Sequence, residues 1–132
     1  MATEILVNDG GAPARILPYI AGSTVAAGKA VIVASDGQVD HTAVSGSKML
    51  GVALTAAESG NVCNVISGKG IQLNVFTSGS NIAIGDELVC AVGASLAGML
   101  VEKTSGAHQG QVLAIALEAG SATAGLTKVQ IV

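Results

Sequence analysis

The sequence contains very few aromatic and charged side chains. Aromatic residues make up 2% of its 132 positions, with Tyr19 and Phe76 as the only rings, and charged residues make up 11%. The net charge is −3, and the lysines and arginines form no cluster. Nucleic-acid binding depends largely on a basic surface and gains from aromatic stacking. This composition therefore excludes DNA and RNA as direct ligands.

Runs that could span a membrane are missing as well. The uncharged stretch from Leu88 to Val101 is interrupted by two glycines and is shorter than the ~20 residues of a spanning helix. A β-hairpin is predicted there instead. Glu4 and Asp9 stand where a signal peptide would need its basic segment and its apolar core. The protein is therefore expected to stay in the cytoplasm where it is made.

Cysteine is scarce, with two residues that lie 90 − 63 = 27 positions apart. Cys63 and Cys90 are placed in apolar segments and do not form a C-x-x-C pair. Buried reduced thiols that act as small hydrophobic side chains are therefore predicted. A disulfide that joins the two halves of the chain is the alternative.

Glycine and small apolar residues are abundant, and they recur in a repeated unit. The segment from Gly22 to Leu54 returns in degenerate form from Gly79 to Leu117. The glycine-bounded turns of the two copies are 79 − 22 = 57 positions apart, and the later apolar strands are 112 − 49 = 63 positions apart. The sequence predicts a single β domain over 21–132, built from two half-repeats at 22–76 and 79–132.

Local patterns inside each half-repeat favour strands. Asp36-Gly37 lies between two apolar runs, which indicates a hairpin with a type I′ turn, because both central residues of that turn need positive φ. Ile71 to Val75 alternates between apolar and polar side chains, as a strand with one buried face does. The predicted fold is mainly β, a small β-barrel or β-clip-like domain. The residues predicted to be buried are Val33, Val52, Leu54, Val65, Val89, Ile115, Leu117 and Ile131.

The residues before Ala21 stand outside the repeat. Pro13 and Pro18 prevent a long helix, so Met1 to Ile20 is predicted to be an extended N-terminal arm that the barrel does not need for folding. The arm packs either on its own barrel or on a neighbouring subunit. Its apolar side chains are the candidate interface residues: Ile5, Leu6, Val7, Ile16, Leu17 and Tyr19.

No motif for chemistry is complete. The segment from Gly22 to Ala30 resembles a phosphate-binding loop, but its spacing is wrong and no Ser or Thr follows its lysine. His41 and His108 lack the spacing of a zinc site, so both are predicted to be solvated loop residues. No serine lies in a G-x-S-x-G elbow. We therefore expect no catalytic residue, no cofactor and no metal site, and the protein is not expected to be an enzyme.

Lys69 raises one alternative function. Lipoyl- and biotin-carrier domains are pseudo-symmetric β sandwiches with a lysine at the hairpin between their halves, and Ser67-Gly68-Lys69-Gly70 has a comparable position. Those domains present the lysine within Asp-Lys-Ala or Met-Lys-Met, and they are shorter. This sequence departs from them in motif and in length, which disfavours a carrier function.

In their order along the chain, the repeated segments resemble the capsid cement, or head decoration, proteins of tailed bacteriophages. The segments that carry the resemblance are Val25 to Val33, Leu50 to Val62, Ile84 to Val89 and Leu113 to Leu117. The resemblance covers Gly22 to Val132. Lys29 stands where the first copy usually has Asp, and Ala114 replaces a Gly of the second copy.

This resemblance implies a structural protein that binds the outside of an assembled phage head as a homotrimer. Its partner would be the major capsid protein, and the apolar side chains of the arm would lie in the capsid or subunit interface. Its location would be the capsid exterior of the virion. A secreted or surface β-module of a bacterial assembly is the alternative, and it would need a secretion signal.

Overall fold

The computed structural model describes residues 5–8, 15–41, 47–78, 82–91, 96–103, 112–120 and 125–132. Within these ranges the chain forms eleven β-strands and no α-helix, and Ser35–Gly37 form a tight turn in which Asp36 has left-handed backbone angles. The strands are β1 (Leu6–Asn8), β2 (Arg15–Ile20), β3 (Ala30–Val33), β4 (Val39–Asp40), β5 (Met49–Ala53), β6 (Val62–Ser67), β7 (Gln72–Thr77), β8 (Glu87–Cys90), β9 (Leu100–Glu102), β10 (Ala114–Ala116) and β11 (Gly125–Ile131).

The strands form two sheets. The first has the order β2-β6-β5-β3-β4, and the second has the order β1-β7-β11-β10-β8-β9. Ala21, which follows β2, pairs in parallel with Val39 of β4 and so closes the first sheet into a five-stranded barrel. Thr77 of β7 pairs in parallel with Leu100 of β9 in the same way. The predicted small β-barrel is therefore confirmed.

The two sheets repeat one arrangement, which confirms the predicted tandem duplication. Strands β2 to β6 of the first sheet correspond, in chain order, to strands β7 to β11 of the second. With this correspondence the order β2-β6-β5-β3-β4 becomes β7-β11-β10-β8-β9. The register agrees as well. Val31 pairs with Gly51 in the first sheet, and Leu88 pairs with Ala114 in the second, at offsets of 88 − 31 = 57 and 114 − 51 = 63 positions.

The boundaries of the duplicated units differ from the predicted ones. β2 holds the place beside β6 in the first sheet that β7 holds beside β11 in the second, and Ile16 and Gln72 hold equivalent positions, 72 − 16 = 56 apart. We therefore define the first unit as residues 15–67 and the second unit as residues 71–131. The predicted half-repeats, 22–76 and 79–132, placed β7 in the wrong half because β2 and β7 have no visible sequence echo.

The predicted N-terminal arm contributes a strand to each sheet. β2 pairs with β6 along six residues, from Arg15 to Ile20. β1 pairs with β7, and the Asn74 N–H donates to the Ile5 carbonyl at 2.7 Å. Of the two alternatives, the described parts of this segment therefore pack on their own domain. The rest of the segment, which includes Pro13, lies outside the described residues.

Two clusters of buried side chains form the core. The larger cluster fills the second unit and reaches Val52 and Ile66 of the first. The smaller cluster lies within the first unit, around Val31 and Val65. Apart from the Cys63 thiol, the buried members of both clusters are aliphatic, so the stability of the core depends on close packing of Val, Ile, Leu and Ala side chains.

Four of the residues predicted to be buried are buried, namely Val52, Val65, Val89 and Ile131. Val33 was predicted to be buried and is 54% exposed, because a register shift between Val31 and Ile32 interrupts the alternation of buried and exposed side chains along β3. The remaining three, Leu54, Ile115 and Leu117, are half-buried.

Both hairpin predictions are confirmed. Asp36 and Gly37 have φ values of 57° and 74°, as a type I′ turn requires, and they connect β3 to β4. β8 and β9 form the hairpin predicted between Leu88 and Val101. No helix in the described part of the chain is long and apolar enough to cross a membrane.

Candidate interaction surface

An exposed apolar strip runs along β2. Ile16, Leu17 and Ile20 are 40%, 51% and 41% exposed, although β2 is paired along its whole length with β6. The other edge of β2 carries no described strand along Arg15–Ile20. Large apolar side chains therefore meet solvent at the edge of the barrel.

Pro18 lies in the middle of this edge and changes what the strip can bind. Its counterpart in β7, Asn74, donates its N–H to the carbonyl of Ile5, the residue before β1. Proline has no N–H, so β2 cannot hold an added strand by the same bond. The strip therefore offers apolar side chains to a partner rather than a fully open backbone edge.

Val62 of β6 extends the strip sideways. It lies directly opposite Ile20 and is 55% exposed. A shallow groove of about 450 Å³ begins beside it, and Glu58 is the one charged residue among its lining residues. The other lining residues are Thr24, Val25, Ala56, Ala57 and Asn61. Apart from Glu58, the described lining residues are small and uncharged, and they suit an apolar side chain of a partner protein.

The structure separates the predicted interface residues into two groups. Ile5 packs against the larger core cluster, and Tyr19 packs against the smaller one. Leu6 and Val7 lie in β1, which pairs with β7. These four residues therefore belong to elements that the domain uses for its own packing.

Ile16 and Leu17 form the second group, and they are exposed as an interface would require. Whether they contact a partner stays a prediction. Ile20 and Val62 share the same surface, but no sequence pattern singled them out. β2 is apolar at nearly every position, so alternation cannot separate its faces, and only the pairing of β2 with β6 places Val62 beside Ile20.

His41 joins the two units. Its Nε2 accepts the Ala26 N–H at 3.0 Å, and its Nδ1 donates to the Ala30 carbonyl at 2.9 Å. The ring also faces Gly98 of the second unit, where an added Cβ would lie 2.6 Å from Nδ1. The prediction of a solvated loop histidine is therefore wrong for His41. His108 lies outside the described residues.

The surroundings of His41 favour its neutral form. Burial is the largest cause that lowers the pKa of His41 below its ordinary value of 6.5, and the nearby Lys29 charge lowers it further. The hydrogen bond to Ala30 and the charge of Asp40 raise it and only partly offset these effects. Protonation of Nε2 would in addition remove the acceptor of the Ala26 N–H.

This depressed pKa predicts a loss of stability in mild acid. The unfolded chain takes up the proton near pH 6.5, and the folded chain takes it up only at lower pH. The contribution of His41 is therefore complete above pH 6.5 and is lost as the pH falls toward the folded pKa. We expect the urea midpoint to fall over this range and the fall to be flatter in His41→Gln. Equal slopes in the two proteins would assign the pH dependence to other groups.

The remaining candidates for chemistry are dispersed. Cys63 and Cys90 are both buried thiols, as predicted, and burial raises the pKa of Cys63. Lys69 is exposed in the turn that connects the two units. Among the described residues, no three His, Cys, Asp or Glu side chains are grouped to hold a metal ion.

The fold matches that of a solved phage protein. The chain is similar to the crystal structure of the head fiber gp8.5 N base in bacteriophage phi29, with a TM-score of 0.67 over 91% of this chain and 95% of that chain. Sequence identity is 20%, so the likeness concerns the fold. No family model and no curated protein matches the chain. The resemblance to phage head proteins found in the sequence is thus confirmed at the level of the fold.

Proposed function

We propose that this protein is a structural component of a phage virion that binds the outer surface of the head and cements the capsid lattice. The observation that carries the proposal is the exposed apolar strip of Ile16, Leu17, Ile20 and Val62, on a barrel with the fold of a phage head protein. Soluble proteins rarely expose large apolar patches that have no partner. The strip is therefore assigned to protein contacts.

The energetics suit a protein that adds many modest contacts. Complete burial of a Leu or Ile side chain contributes roughly 1.5 to 3 kcal/mol. Ile16 and Leu17 are about half exposed, so each still has part of that free energy to gain on a capsid surface. Several copies held together bind more tightly than one, because the later contacts form within one complex.

The partner in this proposal is the major capsid protein, and the location is the capsid exterior of the virion. The protein acts there as a homotrimer, so that each assembly presents Ile16 and Leu17 of three strips to neighbouring capsid subunits. Neither nucleic acid nor membrane takes part. Support for this partner comes from the fold of the phage head neighbour and from the apolar, weakly charged surface.

Heads purified from a phage that lacks the gene provide the direct test. Added protein is expected to bind these heads at a fixed number of copies and to raise the temperature at which they release DNA. Binding without any gain in head stability would contradict a cementing function. It would instead indicate a protein that binds the head surface without stabilising it. Failure to bind would contradict the proposal as a whole.

Leu17→Glu is expected to weaken binding to such heads by at least tenfold, while the free protein stays folded. Leu17 is 51% exposed, so the free barrel tolerates a carboxylate there, whereas a capsid contact would bury it at a high cost. Co-sedimentation with heads over a concentration series measures the effect. Val132→Glu is the matched control, because Val132 is similarly exposed at 48% but lies outside the strip. Equal losses in both variants would remove the strip from the interface.

A further inference from the structure

The two units of the chain meet at a junction where the larger core cluster extends from the second unit to Val52 and Ile66 of the first and where backbone hydrogen bonds cross. The Phe76 N–H donates to the Gly28 carbonyl at 2.8 Å, and the Ala30 N–H donates to the Gly98 carbonyl at 2.8 Å. Lys29 Nζ lies 5.8 Å from the centre of the Phe76 ring. The first unit thus uses one face, around Gly28, and the second unit uses a different face, around Phe76 and Gly98.

The duplication gives the second unit its own copy of the face around Gly28. Gly28 and Gly85 are 57 positions apart, and each donates its N–H at 2.8 Å to the carbonyl of the last residue of an equivalent strand, Gly28 to Ala53 of β5 and Gly85 to Ala116 of β10. By the same offset, Glu87 is the counterpart of Ala30. We call Ile84, Gly85 and Glu87 the Gly85 face.

The first unit likewise has its own copy of the face around Phe76. Ile20 is the counterpart of Phe76 at 76 − 20 = 56, and Gly37 is the counterpart of Gly98 at 98 − 37 = 61. Gly37 and Gly98 both end hairpin turns with positive φ, at 74° and 79°. We call Ile20, Gly37 and the adjoining Val62 the Ile20 face.

The chain covers one copy of each face and leaves the other copy open. Gly28 and Gly98 are buried at the junction, and an added Cβ would be crowded at both. Gly85 and Gly37 are exposed, and an added Cβ would meet nothing within 4 Å at either. Ile84, beside Gly85, is 73% exposed. Equivalent positions therefore differ because the junction forms once within the chain and has no second partner there.

We propose that the Gly85 face of one copy docks on the Ile20 face of a second copy, head to tail, and so repeats the junction between chains. In this contact the Ile20 N–H donates to the Gly85 carbonyl and the Glu87 N–H donates to the Gly37 carbonyl. Neither of these bonds is formed within the chain among the described residues. The inference rests on the self-association included in the proposed function, and it assigns the surfaces that carry it.

A head-to-tail contact of this kind closes into a ring when its rotation divides a full turn, and otherwise it continues as a filament. In a trimer, six units would alternate around one ring, with three junctions inside chains and three between them. The strip residues Ile16 and Leu17 lie at the other end of β2 from Ile20 and stay available to the capsid.

Charge makes the contact between chains weaker than the junction within the chain. Asp86, beside the Gly85 face, is the counterpart of Lys29, at 86 − 29 = 57. Asp36 lies next to Gly37 of the Ile20 face, which would dock against it. Docking therefore brings carboxylates toward each other where the junction has a lysine. Salt screens such repulsion, so association is expected to increase with ionic strength.

A disulfide between chains tests the assignment. An added Cβ at Gly98 would lie 3.0 Å from the Lys29 Cβ, and the counterparts of these two positions are Gly37 and Asp86. Cysteines there would be close to the Cβ separation of a disulfide, about 3.5 to 4.5 Å. We expect the variant Gly37→Cys/Asp86→Cys, oxidised in the absence of capsids, to form disulfide-linked oligomers that end at a closed trimer.

The single variants separate this contact from others. Gly37→Cys alone and Asp86→Cys alone are expected to remain monomeric on a non-reducing gel, and an equimolar mixture of the two is expected to give a linked dimer. Linkage within either single variant would indicate a symmetric contact and overturn the proposal, as would absence of linkage in the double variant. Self-association of the unchanged chain that weakens as salt is added would also contradict it.

A second substitution checks that linkage follows docking rather than chance collision. Ile20→Lys, added to the double cysteine variant, is expected to lower the yield at least tenfold, whereas Val132→Lys is expected to leave it unchanged. Disulfide-linked oligomers that grow beyond three chains without limit would support the contact and contradict the closed trimer. Linkage without binding to heads would support the contact and contradict the cementing function, so the two failures are distinguishable.

Discussion

A chain that starts at Ala21 is expected not to fold. The sequence predicted the opposite, but residues 15–20 form β2, which pairs with β6 over six residues and leads to the bridge between Ala21 and Val39 that closes the barrel. Removal of residues 1–20 would also take away two side chains of the core. Tyr19 packs against the smaller core cluster, and Ile5 packs against the larger one. The newly exposed side chains each cost roughly 1.5 to 3 kcal/mol, against a total stability of about 5 to 15 kcal/mol for a typical domain.

Far-UV circular dichroism and thermal melting of the shortened chain measure this result. We expect loss of the strand signal and of the cooperative transition. A chain that lacks only Met1 to Thr3 is the control, since it keeps both β1 and β2, and it should melt like the intact protein. A cooperative melt of the chain that starts at Ala21 would show that the barrel closes without β2.

Gly51→Ala is expected to destabilise the protein by about 3 kcal/mol, the upper end of the usual cost of overpacking a core. Gly51 lies in β5, and an added Cβ would overlap with the carbonyl oxygen of Ile66 and approach the Val65 Cγ1 at 3.1 Å. The oxygen belongs to the paired strand β6, so it cannot move without disturbing the sheet. Urea unfolding at constant pH measures the change.

Ala114 provides the matched control for this substitution. It is the counterpart of Gly51 in the second unit, and its methyl group is fully buried there. Ala114→Gly is expected to cost about 0.5 to 1 kcal/mol, the usual difference between alanine and glycine inside a strand. Similar losses in Gly51→Ala and Ala114→Gly would show that β5 and β6 adjust to the added group.

The tandem duplication and the turns could be predicted because their signals are local. Asp36-Gly37 between two apolar runs favours a type I′ turn with positive φ, and the apolar segments of β3 and β8 recur at a constant offset of 57. The scarcity of aromatic side chains and the absence of a basic cluster in the sequence narrowed the possible functions in the same way, since composition does not depend on the fold. From these features the fold class, the buried thiols and the resemblance to phage head proteins could be predicted.

Other features depended on contacts between distant parts of the chain. β2 belongs to the first unit because it pairs with β6, more than forty positions later, and its nearly continuous apolar sequence gave no register. His41 looked like a loop residue because the groups that bind it, Ala26 and Ala30, come from another strand and its preceding turn. Sequence spacing cannot reveal either relation, because both are created when the barrel closes.

The sequence by itself determined that the chain contains two copies of one β unit, since each copy repeats the same short-range pattern of glycines and apolar residues. Only the tertiary structure decided which copy of each surface is covered. Gly28 and Gly85 have the same local conformation, yet Gly28 is buried and Gly85 is exposed. The physical reason is that burial depends on what packs against a residue, and two linked units form one junction and leave one face of each unit open.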